Sequence, residues 1–187
     1  MTSVEHAEAL MRTGAYDEAK SILSELISDD PGDLRAICDI GIAFTETGEN
    51  EKAIRALTHY MERDTDNPYA WEALGCARFR TGNFAEARGC LVRSLDLKPD
   101  NPSALRNLGI LHGMEGRPEE GIRLLERSRL LAPTDYRTIY ALAFAVAETD
   151  SRDRTRRLME ELLELSLPDD IRKDTVLYLI RLDLGWS

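Results

Sequence analysis

The residues of this chain with the widest chemical repertoire are three histidines, His6, His59 and His112, and three cysteines, Cys38, Cys76 and Cys90. The histidines lie far apart, no His-Glu-x-x-His run joins them, and their nearest partners are not at metal-ligand spacing, so no metal site is indicated. An odd number of widely spaced cysteines argues against both a disulfide framework and a structural zinc site, which leaves reduced thiols. Cys38 and Cys76 have no neighbouring histidine to activate a thiolate and read as small packing residues. Asp39 and Glu72 could share a face, but a pair of carboxylates is too common to indicate glycoside hydrolysis. No phosphate-cradling glycine loop is present, and Gly109-x-x-x-Gly113 reads as helix packing. The chain therefore reads as a non-enzyme with no cofactor and no metal.

One local charge cluster remains. Arg152, Arg154, Arg156 and Arg157 form a basic run in an acidic protein. It reads either as a contact for an acidic partner or nucleic acid, or as a solvated helix start. Asp153 interrupts it and Glu160, Glu161 and Glu164 follow, which makes the solvated start the simpler reading.

The elements that must position these residues belong to one globular chain. Over 187 residues, 43% apolar and 31% charged side chains exclude disorder, and 12 glycines exclude collagen. The longest apolar run, Ile139 to Ala147, is far short of the ~20 residues a membrane span needs. Residues Met1 to Ala9 lack the basic stretch and apolar core of a secretory signal, which predicts a cytoplasmic location. A net charge of −10 disfavours a phosphate-backbone partner and makes nucleic-acid binding a poor expectation.

The chain also repeats itself. Gly14, Gly48, Gly82 and Gly116 stand at a constant interval of 34 residues. In the same register run Ala7, Gly41, Gly75, Gly109 and Ala143; Ala19, Ala53, Ala87, Gly121 and Thr155; and Leu23, Leu57, Leu91, Leu125 and Met159. Apolar residues between the turn signals recur at helical spacing, so each unit is two short helices. The glycines near the middle of each unit supply a positive φ between helices, and the small residues at 41, 75 and 109 and at 53, 87 and 121 allow close approach. Asp150 takes the turn position of the fifth unit. Asn67-Pro68 and Asn101-Pro102 read as N-caps followed by proline at the first helical position, and Thr2 with Glu5 as a capping box.

These residues carry a resemblance to the tetratricopeptide repeat, whose signature is W-x2-L-G-x2-Y, then A-x3-F, then P. The third unit, with Trp71, Leu74, Gly75, Gly82, Phe84, Ala87, Leu91 and Pro99, matches best; it departs at the aromatic position, Arg78, as the fourth unit does at His112. The fold implied is an all-α, right-handed α-solenoid in a single domain spanning 1–187. Its units are 2–32, 33–66, 67–100, 101–134 and 135–167, and a capping helix covers 168–185. That last helix runs through Ile171, Val176, Tyr178, Ile180 and Leu182, with Arg172, Lys173, Arg181 and Asp183 as its polar outer side. A sixth repeat would need a small residue at 177, where the chain has leucine.

In arrays that it resembles, the first helix of each unit lines a groove. Carried onto this sequence, the groove holds Arg35, Cys38, Ile42, Thr45 and Glu46; then Tyr69, Glu72, Cys76, Phe79 and Arg80. The fourth unit adds Ser103, Arg106, Ile110, Gly113 and Met114, and the fifth Arg137, Tyr140, Phe144, Ala147 and Glu148. The carboxylate clamp of chaperone-binding relatives is missing, since only Asn107 and Arg137 fit it. The apolar floor instead resembles grooves that hold an extended or helical client segment. The expected partner is a protein segment with an apolar centre and acidic ends, paired by Arg80, Arg106 and Arg137. Two functions stay open at this point: a scaffold binding that segment, and a structural protein that assembles into homo-oligomers.

Overall fold

A computed structural model describes residues 3–149 and 151–184; the expected capping residue Thr2 and the turn position Asp150 lie outside these. The described residues form helices joined by turns, with no strand. Five helix pairs follow one another: α1 (Val4–Arg12) with α2 (Tyr16–Asp29), α3 (Leu34–Glu46) with α4 (Asn50–Met61), α5 (Pro68–Arg80) with α6 (Phe84–Leu97), α7 (Pro102–Met114) with α8 (Pro118–Leu131), and α9 (Tyr136–Ala147) with α10 (Arg152–Leu163). A final helix, α11 (Asp169–Leu184), packs on α10. The chain divides into two compact units, the first ending at Pro99 and the second starting at Asp100. Within each unit every helix packs on the next, and the first helices of neighbouring pairs also touch.

The turns follow from glycine. Gly14, Gly48, Gly82 and Gly116 have φ between +75° and +82°, and the residue after each donates its amide to a carbonyl five positions back, as Glu49 does to Phe44 at 2.8 Å. This closes the preceding helix with a left-handed cap. The next helices start on side-chain caps where the sequence supplies them: Asp33, Asn67, Asn101 and Asp135 each accept a backbone amide of the first turn. At the N-terminus Ser3 takes that role, accepting from the His6 amide.

Each pair is held by one fully buried residue of its second helix, Leu23, Leu57, Leu91, Leu125 or Met159. The glycines opposite are there to let it in. A Cβ on Gly41 would lie 2.6 Å from the Leu57 side chain, and one on Gly75 2.9 Å from Leu91. Between α7 and α8 the backbones approach more closely still: a Cβ on Gly121 would lie 2.6 Å from the Gly109 carbonyl oxygen. The substitution of glycine for alanine at that point of the repeat is therefore what permits this crossing.

The residue at the aromatic position is matched across the pair. Phe44 lies under the Lys52 ammonium at 5.3 Å, Arg78 pairs with Glu86, and His112 Nδ1 is 2.9 Å from the Glu120 carboxylate. Lys52, Glu86 and Glu120 are themselves 34 residues apart, so partner and position vary together. His112 is thus a boundary histidine held by a carboxylate.

The terminal helix corrects one expectation. Arg172, Lys173, Arg181 and Asp183 are exposed as expected of a polar outer side, but so are the apolar Val176 and Ile180. The buried side is Ile171, Thr175, Tyr178, Leu179 and Leu182, with Thr175 fully buried. The basic run at α10 is neither free nor merely solvated. Arg154 pairs with Glu126 of α8, Arg156 with Asp183 of α11 at 2.7 Å, and Arg152 donates to the Leu182 carbonyl.

Candidate functional site

The residues expected in the groove fall into two sets, one in each compact unit. In the first unit most are committed within the chain. Arg35, on the first turn of α3, reaches back to Glu5 and Glu8 of α1, each at 2.7 Å. Arg80 donates to the Thr45 carbonyl. Cys76 is buried, and so is Cys38, whose thiol burial pushes up to about 12, far from a reactive thiolate. Ile42 is half-buried against the core around Leu57. Phe79 is half-buried and packs its ring on Phe84, 5.6 Å between centroids. Glu72 is half-buried. Tyr69 is exposed but lies under the Lys98 ammonium, 4.5 Å from the ring centre.

The second unit differs. Between α7 and α9 lies a cleft of about 310 Å³, lined by Gly109, Ile110, Gly113, Met114, Tyr140 and Phe144 with Leu125 at its base and Glu148 at one end. Its walls are apolar. Met114 is 56% exposed at the rim, while Tyr140 and Phe144 pack with tilted rings, 4.8 Å between centroids, and Phe144 meets Tyr178 of α11 edge-on at 5.3 Å. Of the two glycines of α7 that line the cleft, one leaves it open. Gly109 is filled from behind by Leu125, but a Cβ on Gly113 would meet nothing within 4 Å. Gly113 is thus not a packing glycine, contrary to the reading of Gly109-x-x-x-Gly113 as one motif; it leaves open the space that Phe79 occupies one repeat earlier.

Of the arginines expected at the rim, one is drawn inward. Arg106 is largely buried and bonds Asp135, the N-cap of α9, at 2.6 Å. Asp135 also accepts from the Thr138 hydroxyl at 2.7 Å and the Arg137 amide at 3.2 Å. Burial alone pushes its carboxyl up, but Thr138, Arg106 and the Arg137 amide together hold it below the usual range. Arg137 is exposed, its guanidinium 5.7 Å from the Tyr136 ring centre. Among the described residues no three His, Cys, Asp or Glu side chains converge as a metal site would require, and no helix is long and apolar enough to cross a membrane.

Two family models, both described as tetratricopeptide repeat, match residues 10–75 and 72–136. The chain belongs to the tetratricopeptide repeat family. Within that family the cleft occupies the first-helix faces of its fourth and fifth repeats. A search of curated protein sequences finds no match. Among solved structures the chain is similar to TTC0263, a thermophilic tetratricopeptide repeat protein of Thermus thermophilus, with TM-score 0.76, 17% identity, and coverage of 95% of this chain and 97% of that one. It is similar to pilF of Pseudomonas aeruginosa, with TM-score 0.76, 17% identity, and 96% and 80% coverage. A third similar structure is MamA from Desulfovibrio magneticus, with TM-score 0.67, 19% identity, and 86% and 91% coverage. These likenesses show the repeat fold.

Proposed function

We propose that the chain is a non-enzymatic protein-interaction scaffold that seats an apolar segment of another protein in the cleft between α7 and α9. The observation that carries this reading is the open space over Gly113, walled by Ile110, Met114, Tyr140 and Phe144. An apolar concavity of this size with exposed methionine and aromatic rims is the usual form of a binding site, and methionine adapts its shape to the occupant. Energetically dominant contacts lie where side chains are fully desolvated, which is the cleft floor. Arg106 and Arg80 already have partners, so the bound segment is recognised by its apolar side chains, and acidic ends contribute less than the sequence suggests.

The test is a selection of random dodecapeptides displayed on phage against the purified chain, followed by fluorescence anisotropy of the enriched peptides. Enriched sequences should centre on Leu, Ile or Phe, and Gly113→Phe, which fills the cleft, should abolish their binding while leaving the circular dichroism spectrum unchanged. Equal affinity for wild type and Gly113→Phe would place the binding surface elsewhere.

A further inference from the structure

Helix α11 is apolar on two opposite sides. One side, with Ile171, Tyr178, Leu179 and Leu182, packs into the second unit around the buried Thr175. On the other, Val176, Leu177, Ile180 and Leu184 are 40%, 47%, 46% and 54% exposed. An exposed apolar stripe of this kind on a helix marks a contact surface.

The repeat register says what sort of contact. Lys173, Val176, Leu177 and Ile180 stand 34 residues after Ile139, Leu142, Ala143 and Val146, the face of α9 that packs against α10, all four of which are fully buried. The stripe is thus the face on which a second helix of a repeat would lie, but Leu177 forbids that mode. Second helices approach so closely that even a Cβ at Gly109 would come within 2.9 Å of Leu125. A helix covering Leu177 must stand further off and interdigitate side chains, at an axial distance of about 8–10 Å. The spacing Lys173, Leu177, Ile180, Leu184 is that of a coiled-coil seam.

Charge selects the covering helix and its direction. Asp174 and Arg181 flank the stripe on one side, seven residues apart and exposed, and neither forms an ion pair among the described residues. Two copies of α11 laid parallel set Lys173 against Lys173 and Asp174 beside Asp169. Laid antiparallel, Leu177 meets Ile180 of the second copy, Asp174 meets Arg181 of the second copy, and two-fold symmetry repeats each contact. Lys173 then lies at the C-terminal, negative end of the second helix.

We propose that α11 is a self-association site, pairing antiparallel with α11 of a second copy through Leu177, Ile180 and Leu184 and oriented by Asp174 and Arg181. Four apolar side chains a side make an interface below the roughly 1,200 Å² of stable complexes, so the pairing is of the weak, reversible kind.

Sedimentation equilibrium of the full chain from low-micromolar to submillimolar concentration tests this. Wild type should pass from monomer to dimer, and Leu177→Asp with Ile180→Asp should stay monomeric throughout. Asp174→Arg or Arg181→Asp alone should raise the dissociation constant about tenfold, and the two together should return it to within about twofold of wild type. A wild type that is monomeric at every concentration, or an aspartate variant that dimerises as well as wild type, overturns the proposal. A combined charge reversal no better than either single one overturns the antiparallel arrangement.

Discussion

The inner faces of the two compact units start from the same repeat positions and end as different surfaces. In the first, Arg35 is held by Glu5 and Glu8, Arg80 by the Thr45 carbonyl, and Phe79 by Phe84. In the second, Gly113 replaces the phenylalanine of the preceding repeat and a cleft opens beneath Met114. The helix pairs beneath are built alike, down to matching hydrogen bonds from Ser94 to the Pro68 carbonyl and from Ser128 to the Pro102 carbonyl, both 2.8 Å. The lesson is a division of labour: residues that recur every 34 positions make the scaffold, and those that do not recur make the surface.

The sharpest way to break this comparison is to strike the scaffold in both units. Leu91 and Leu125 are equivalent and both buried, so Leu91→Ala and Leu125→Ala should each cost about 2–5 kcal/mol in urea unfolding. A large difference between them would mean that the two pairs are not built alike. Next in size is the helix crossing that does differ. Gly121→Ala in α8 drives a methyl against the Gly109 carbonyl and should cost about 1–3 kcal/mol despite alanine's better helix propensity. Restoring the repeat consensus is expected to harm the second unit, and a stabilised variant would refute the close crossing.

Gly113→Phe acts on the surface alone. Because nothing lies where its Cβ would go, stability should hold or rise by up to about 1 kcal/mol, while the selected peptides lose about 1–3 kcal/mol of binding free energy. Isothermal titration calorimetry with thermal melts separates the two effects.

What could be read from the sequence follows the same division. Leu91, the turn glycines and the Asn-Pro caps were legible because each is a local or periodic requirement. The commitments of Arg35 and Arg106 were not: Glu5, Glu8 and Asp135 lie 27 to 30 residues away, and nothing in composition selects them over other acids. The exposed stripe of α11 was misjudged because a helix with two apolar faces shows no dominant side; the register with α9, which the sequence already contains, is the signal that would have found it. Gly113 was misread because a glycine that packs and a glycine that leaves space look identical without the neighbouring side chain.

The smallest effect concerns two half-buried carboxyls, one in each unit, whose surroundings send them in opposite directions. Asp39 on α3 has a buried Oδ2 with no hydrogen-bond donor. Burial, with Glu8 and Asp33 nearby and Arg35 only partly offsetting them, pushes its carboxyl up to about 6. Asp135, with Arg106 and Thr138 as partners, is held low. A carboxyl raised in the folded state stabilises it only while protonated, so the contribution of Asp39 is complete below the unfolded value near 4 and is lost as pH rises through about 6. The contribution of Asp135 has the opposite sign: present above the unfolded value, lost as pH falls through its depressed one. Two repeats after Asp39 the chain carries Asn107, so Asp39→Asn gives the first unit the uncharged side chain of the second. It should raise stability at pH 7 by about 1 kcal/mol, the solvent-screened part of the shift, and flatten the stability profile between about pH 4 and 6. Asp135→Asn should instead lower stability at pH 7, by an amount that shrinks in acid. Urea unfolding of the three proteins from pH 7 down through pH 4, for Asp39, and on below about pH 4, for Asp135, decides this, and a variant Asp39→Asn that is less stable than wild type at pH 7 would show that its carboxylate has a partner in solution.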